Sequence, residues 1–569
     1  MLEFKKEQEN DLLIKKYKKI TNIISIFRLL ILISMVLFII LMISLKEFVL
    51  YGILAGFSFV LFIAFVLLTN RFYNQYDEYK YIKLAYERHN ERRKLNLNKF
   101  YDLGEDFLEK DGYEYTDLDI FGKNSIYQYI SLCKTKEGRN RLANYLKHGN
   151  KDQKLYQDLL FDLKDNENII SLEASLNKFG ADAKNFSKDN INKSVNSHIK
   201  LNIFSFLPLI SFIGLIIYAI LVLTIKLNPY FLFLFLGTNL VLSKLCLRNE
   251  IFELDSSRIY SLCDSYLLFS KKIINFESKN EYFNEIKEKI KTEYNNLNNI
   301  KKIYSILAMR KNIVFNIVTN LIFSFDFFII VIYNKLSKNS QKLDELFDSV
   351  GIIEVVLSFL NLIIDQNTYT RCITTKELKI VDGIHPLINN CIPNSIIIDG
   401  GIILTGSNMS GKTTFMRMVG VNQILKNACG IALAKEFSSP NILVNTSLRI
   451  NDLLQEGIST FYAEILRMKK INTSIKKGKI LVLVDEIFKG TNHDERIEAA
   501  FKLIEKLNEL GIYFIISTHD FELSKAKNIK NYHFAEDYIK DKLYFDYKIK
   551  EGVSKSKNAM YLLHLADII

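Results

Sequence analysis

Tryptophan is absent from these 569 residues, and only five prolines occur. A chain so poor in proline carries no proline-rich linker. Cysteine is scarce and scattered: Cys133, Cys246, Cys263, Cys372, Cys391 and Cys429 include no C-x-x-C pair. That spacing gives no basis for a zinc site or a disulfide framework, and it suits a reducing cytosol around the soluble parts. No internal repeat or low-complexity tract is evident. Apolar character, by contrast, is abundant: 49% of residues are hydrophobic and mean hydropathy is slightly positive, although 24% are charged. A uniform soluble protein rarely combines these features, whereas soluble domains joined to membrane segments do. The length calls for two or more domains. A net charge of +12 fits either nucleic acid, an anionic membrane surface, or anchoring charge beside membrane helices.

Four apolar runs stand out. Residues 29–45 are free of charge, and 48–69 form a second run separated only by Lys46 and Glu47. Each approaches the roughly 20 residues needed to cross a bilayer, and so short a polar break predicts a helical hairpin. A second pair follows at 201–225 and 227–242, interrupted by Lys226. Buried core helices seldom lack a polar stripe this completely, which favours membrane spans. Basic residues flank the outer ends: Lys15, Lys16, Lys18, Lys19, Arg71, Lys80, Lys83 and Arg88 for the first hairpin, and Lys193, Lys200, Lys244 and Arg248 for the second. The turns are nearly bare, so the large segments are expected on the cytoplasmic side. A further apolar stretch, 313–333, carries Asn316, Asn320 and Asp326, which lipid would disfavour, and reads as a buried or interfacial helix.

Residues 71–200 and 244–375 read as mainly helical connectors, with Ile286, Ile290, Tyr294 and Leu297 at helical spacing. The cluster Arg88, Arg92, Arg93 and Lys94 reads as a solvated helix face rather than a nucleic-acid site.

From residue 376 short β-branched runs alternate with helices, as in an α/β domain. A predicted strand at 401–405 runs into Gly406, Ser407, Asn408, Met409, Ser410, Gly411, Lys412 and Thr413, a complete G-x-x-x-x-G-K-[ST] loop, and Thr414 continues as a helix. The glycines permit backbone angles that turn successive N–H groups toward phosphate oxygens, and the helix N-terminus adds partial positive charge. Lys412 can reach the β- and γ-phosphates of ATP, and the Thr413 hydroxyl can ligate Mg²⁺. A second apolar strand, 479–484, ends in Asp485, suited to hold Mg²⁺, and Glu486, placed to polarise an attacking water. A third, 512–517, ends in Thr518, His519 and Asp520. A lone histidine is usually structural, but this order and spacing favour a γ-phosphate contact for His519.

These residues resemble the ATPase domain of the MutS family, which belongs to the ABC-type ATPases. Residues 405–417 are close to the family's T-G-P-N-M-[GS]-G-K-[ST]-T-[FY]-[ML]-R, with Ser407 in place of proline, and the Asn408–Met409 pair is far more specific than the glycines. Residues 456–464 resemble its S-x-x-S-T-F-x-x-E signature, with Glu456 for the first serine. The resemblance implies that Ser459 contacts the γ-phosphate bound by a twin subunit, so that a homodimer through the ATPase domain completes two composite sites. Asp485 to Thr491, Ser517 to Leu523, His385 to Ile388 and the tail 548–566 also match family elements. The position expected to face adenine is Cys391 or Ile392 instead of an aromatic residue. Upstream, 118–146 is similar to a segment of the family's helical core, its arginine one place late, and 350–370 to the core's last helix.

The expected fold is an α/β P-loop NTPase domain, ABC-type and MutS-like, at the C-terminus, preceded by a mainly α-helical core with two transmembrane helical hairpins. Its parts are a basic segment with the first hairpin (1–70), the first half of the core (71–200), the second hairpin (201–243), the second half (244–375) and the ATPase domain (376–569). The residues before the first span are too few for the family's mismatch-reading domain, and the second hairpin falls where its lever and DNA-clamp helices are expected. Mismatch specificity is therefore unsupported, while DNA contact by the core stays open. The expected function is a membrane-anchored, Mg²⁺-dependent ATPase with its catalytic half in the cytoplasm. The alternative is an ATP-driven membrane-remodelling or transport component without DNA binding. An ABC exporter fits poorly, because it would normally show about six spans per half and an L-S-G-G-Q signature.

Overall fold

Two long helices open the chain, α1 (Leu2–Leu45) and α2 (Phe48–Arg93). Shorter ones follow: α3 (Tyr113–Asp117), α4 (Ile126–Ile130), α5 (Lys136–His148), α6 (Gln153–Leu163) and α7 (Ile169–Ser175). Then come α8 (Leu207–Ile225), α9 (Phe231–Cys246), α10 (Ser256–Ile274), α11 (Glu281–Met309) and α12 (Asp344–Ile364). The computed structural model describes residues 2–45, 47–109, 111–180, 183–184, 206–225, 227–228, 230–246, 256–309, 316–317, 319–321, 327–329, 331–332, 343–407, 409–449, 460–488, 492–539 and 542–553. The chain divides into two units, Met1–Arg88 with Glu167–Glu277 and Glu285–Val350, and His89–Asn166 with Ser278–Asn284 and Gly351–Ile569.

In the first unit α1 and α2 pair. Tyr17 stacks on Tyr79 with ring centroids 5.4 Å apart, Asn10 Nδ2 donates to Tyr79 O (3.0 Å), and Lys83 pairs with Asp11 (2.8 Å). Sequence reading gave a helix only to the apolar part of α1; the polar stretch before it is also helical, held by these contacts with α2. Toward the hairpin turn the partners become apolar, as with Phe27 and Phe65, and Ile33, Val36, Ile40, Val49, Ile53 and Phe57 stand exposed. Both helices contain stretches long and apolar enough to cross a membrane, and almost nothing in the protein covers them. The second apolar pair, expected at 201–225 and 227–242, is helical over Leu207–Ile225 and Phe231–Cys246, the latter shifted four residues along the chain. Its helices α8 and α9 meet through Ser211 and Thr238 (3.0 Å) and through Tyr218 and Phe235, and residues 201–205 lie outside the described set. Most of 313–333 is also outside it; within it Asn320, Phe327 and Ile329 are buried.

Helix α11 follows its spacing, with Ile286, Ile290 and Leu297 buried and Tyr294 partly so. Helix α12 is long and apolar enough to cross a membrane, but 83% of its apolar stretch is buried inside the protein, so it is a core helix. Its final residues and the last turn of α2 overturn one sequence reading. Arg92 is fully buried rather than solvated: Nη1 donates to Asp365 Oδ2 at 2.6 Å and Nε to Tyr129 O at 2.8 Å. His89 and Arg93 converge on the same carboxylate at 2.9 and 3.2 Å.

The second unit holds the α/β domain. Its strands are β1 (Thr370–Arg371), β2 (Ile373–Thr374), β3 (Leu378–Gly383), β4 (Asn394–Ile398) and β5 (Gly401–Thr405). After helix α13 (Lys412–Cys429) come β6 (Ile431–Ala432), β7 (Glu436–Ser439) and β8 (Leu443–Ser447). Helix α14 (Thr460–Ile475), β9 (Ile480–Asp485), α15 (His493–Glu509), β10 (Tyr513–Thr518), β11 (Lys530–Ile539) and β12 (Lys542–Glu551) complete it. The main sheet has the order β12-β11-β5-β10-β9-β8, parallel throughout except for the β11–β12 hairpin. Parallel strands covered on both faces need near-continuous apolar runs, which β5, β9 and β10 supply. Ile403, Val482, Val484, Phe514 and Ile516 pack with Ala500, Ile504 and Leu507 of α15 in one core. A smaller sheet, β2-β7-β3-β4, and the pair β1-β6 complete the domain.

Candidate nucleotide site

All five residues of β5 are buried, which fixes the point where the chain enters the loop. Gly406 turns with φ of 144°, and a Cβ there would lie 2.8 Å from Phe534 O. Gly411, with φ of 108°, caps α13. Side chains at either position would be strained, so the glycine spacing has a steric cause. Ser410 Oγ donates to Ser407 O (2.8 Å), and Ser407 Oγ donates to Glu536 on β11. Lys412 Nζ donates to Gly406 O and Ser407 O, each at 2.7 Å. The first turn of α13 holds no acidic residue, so the positive end of the helix dipole is left to an anion.

Register brings the remaining groups to the same end of the sheet. Thr405 on β5 lies opposite Thr518 on β10, and Ser517 lies opposite Asp485 on β9. Asp485 therefore receives two hydroxyls, Thr413 Oγ1 on Oδ2 at 2.5 Å and Ser517 Oγ on Oδ1. Glu486 follows with φ of 53°, and its N–H donates to Ser517 O at 3.0 Å. A left-handed non-glycine residue at a strand end is the kind of local strain that functional sites hold. Glu486 Oε1 and His519 Nε2 lie 3.1 Å apart, and both side chains are partly exposed, so water has access. Asp520 accepts two bonds from Arg496 (3.0 and 2.8 Å), which ties the histidine segment to α15.

Beside Gly411 and Thr414 opens a cavity of about 530 Å³, lined among others by Cys391, Ile392, Phe415, Phe534, Tyr544 and Tyr547. Cys391 and Ile392 thus do border a space adjoining the phosphate loop. Aromatic surface is supplied as well, from β12, where Tyr544 and Tyr547 are about half exposed.

The family model described as MutS domain V matches residues 402–568. A DNA mismatch repair protein MutS from Methanosarcina mazei is 30% identical over 253 residues, 41% of this chain and 28% of that protein. MutS protein homolog 4 of Homo sapiens is 29% identical over 246 residues, 39% of this chain and 26% of the relative. A Bacillus licheniformis MutS is 27% identical over 250 residues, 41% and 29% respectively. The C-terminal part of this chain is a MutS-like ATPase domain. The chain spans less than a third of the length of these relatives.

In the MutS-like domain the structure brings Gly406, Ser407, Met409, Ser410, Gly411, Lys412, Thr413 and Thr414 into one loop and helix start, with Asp485, Glu486 and His519 at the neighbouring strand ends. Asn408 and Ser459 lie outside the described residues, as does 554–566 of the tail. Sequence reasoning passed over Ser517, Glu536 and Tyr547. Ser517 had a signal, a hydroxyl directly before the Thr-His pair; Tyr547, one residue ahead of the tail segment, had none.

The donor set suits Mg²⁺. Thr413 and Asp485 offer oxygen only, with no nitrogen or sulfur, and a hard ion that keeps waters and shares phosphate oxygens needs few protein ligands. Among the described residues no cluster of three or more His, Cys, Asp or Glu forms a separate metal centre.

Proposed function

We propose that the chain binds and hydrolyses ATP with Mg²⁺ as a dimer, and that its N-terminal helices anchor it in a membrane with the ATPase domain in the cytoplasm. The observation that carries the catalytic reading is the convergence of Lys412, Thr413, Asp485, Glu486 and His519 at the ends of three adjacent parallel strands.

In this reading the loop N–H groups and Lys412 hold the β- and γ-phosphates. Thr413 and Asp485 would hold Mg²⁺, which would supply charge compensation for the phosphate oxygens. Ser517 holds Asp485 in place. Glu486 accepts the proton of the attacking water, and His519, within hydrogen-bond reach, orients that carboxylate and meets the γ-phosphate. Catalysis is then chiefly positional and electrostatic. The base takes the cavity beside Gly411, packed against Tyr547 and Ile392. Ser459 of a second copy completes each site by resemblance to the family signature. The test is Mg²⁺-dependent phosphate release by the purified chain in detergent. Activity should vanish in Lys412→Ala; a Lys412→Ala chain that retains nucleotide as well as the parent does would end this interpretation.

The relatives are named for DNA mismatch repair, which makes duplex DNA the first partner to test. If the positively charged chain engages it through phosphates, affinity falls steeply with salt. Fluorescence anisotropy with homoduplex and mismatched duplex at low salt measures this. The uncovered apolar faces of α1 and α2 favour a second reading, in which ATP-driven movement serves the membrane without DNA. Absence of duplex binding at low salt, with ATPase activity responding to liposomes, would select it.

A further inference from the structure

A second cavity, of about 350 Å³, lies beside α13 and is bordered by His385, Arg417, Asp119, Asn124, Thr414 and Leu95 among others. Of the residues assigned to nucleotide only Thr414 touches it; Lys412, Gly406 and Asp485 do not. Its donors have an unusual status. His385 is 5% exposed, and its Nδ1 accepts the Leu387 N–H at 3.3 Å, which assigns the ring proton to Nε2. That Nε2 is buried and has no hydrogen-bond partner among the described residues, and the same holds for Nε of Arg417. Burial, with the neighbouring Arg417 charge, pushes the imidazole down to about 4, so at neutral pH Nε2 is a donor on an uncharged ring. Buried donors are seldom left unpaired, and two bordering one cavity point to an acceptor that belongs there.

Charge indicates which acceptor. Arg449 makes two bonds to Asp119 (2.8 and 3.1 Å), and Arg467 contacts both oxygens of Asp117 (3.2 and 2.9 Å). Arg417 has one bond, 3.2 Å from Nη1 to Asp119 Oδ2. Three guanidiniums thus share two carboxylates, and Arg417 is the least compensated. Asp485, whose charge also reaches Arg417, is already engaged by Thr413 and Ser517.

We propose that this cavity binds a small oxyanion, of the phosphate or carboxylate class, through His385 Nε2–H and the Arg417 guanidinium. The volume leaves room for bridging water or a short organic body against Leu95. Two sources share this chemistry, phosphate released by hydrolysis and a small organic acid. The site stands on the cavity itself; only its assignment to released phosphate rests on the ATPase reading.

Isothermal titration calorimetry of the full chain in detergent and phosphate-free buffer tests it, with the nucleotide loop saturated by Mg²⁺ and a non-hydrolysable ATP analogue. Phosphate should bind beyond the nucleotide, and binding should weaken by about tenfold or more in Arg417→Gln and in His385→Phe. Lys412→Ala, titrated without nucleotide, should keep this site, so failure of the nucleotide reading leaves the result interpretable. Should the buried variants fail to fold, Asn124→Asp places a negative charge at an exposed position of the border, where its φ of 57° tolerates aspartate, and should also weaken binding. A parallel titration with acetate separates the sources: tighter acetate assigns the site to organic acids, tighter phosphate to the hydrolysis product. No heat from either anion, or binding untouched by Arg417→Gln, His385→Phe and Asn124→Asp, overturns the proposal.

Discussion

The Thr413 hydroxyl and the Asp485 carboxylate meet at 2.5 Å, joining the first turn of α13 to the end of β9. Nothing in the sequence separation of 72 residues requires this contact; the parallel register of β5, β10 and β9 does. Because Mg²⁺ is expected to take an oxygen from each residue, Thr413→Val should lower the apparent affinity for Mg²⁺, while Thr413→Ser should keep it. Phosphate release measured across a Mg²⁺ series separates the two variants. Equal Mg²⁺ dependence for valine and serine would remove Thr413 from the metal site.

Glu486 is held within 3.1 Å of His519 by its own left-handed backbone and by the Ser517 carbonyl. Glu486→Gln keeps size and packing but gives up proton acceptance. Hydrolysis should slow by about 10²- to 10³-fold with ATP binding intact. Single-turnover phosphate release beside equilibrium nucleotide binding checks this, and fast turnover by the glutamine variant would assign the water to another group.

Tyr547 lines the cavity next to Gly411 and is about half exposed. Tyr547→Ala should weaken ATP by about 2- to 12-fold, the range of an aromatic contact of roughly 0.5–1.5 kcal/mol. Inorganic triphosphate, which has no base, should bind the parent and the variant alike. Displacement of a fluorescent nucleotide by each competitor gives both numbers, and a parallel loss for triphosphate would mean that Tyr547 shapes the loop instead.

Asp365 gathers Arg92, His89 and Arg93 around one buried carboxylate. Asp365→Asn leaves the Arg92 guanidinium in the interior without its counter-charge. Breaking a buried pair in this way should destabilise the second unit by about 3–5 kcal/mol, whereas an exposed pair is worth far less. Urea denaturation followed by circular dichroism reports the loss.

Glu354 is wholly buried, and burial pushes its carboxyl up to about 7 despite bonds from Thr135 Oγ1 (2.5 Å) and Lys134 N (2.9 Å). The folded state therefore holds this proton more tightly than the unfolded chain. The stability it contributes is fully present below the unfolded value near 4.5 and is lost as pH rises through about 7. Melting temperatures taken from pH 5 to 8 should fall on this account in the parent, and Glu354→Gln should flatten that slope. An unchanged slope would place the pH dependence elsewhere.

The glycine loop and the acidic strand end of the candidate site were legible because their constraints are local. Glycine at 406 and 411 follows from backbone angles, and an acidic pair after an apolar run marks the end of a buried parallel strand. Arg92 was misread for the opposite reason: its partner Asp365 is 273 positions away, and a helical run of basic residues looks the same whether water or a distant carboxylate faces it. The full length of α1 escaped as well, since residues before the apolar run carry no strong periodicity and owe their order to Tyr79 and Lys83 on α2. Tyr547 reaches the cavity beside Gly411 only because β12 folds back on β11, a pairing its own neighbours do not announce.

Lys412 has both of its 2.7 Å partners within the loop it serves. The ammonium thus clasps the first two residues of the loop to the start of α13, so the turn is closed by a side chain as well as by its backbone. One residue is in this way both a charge and a strut.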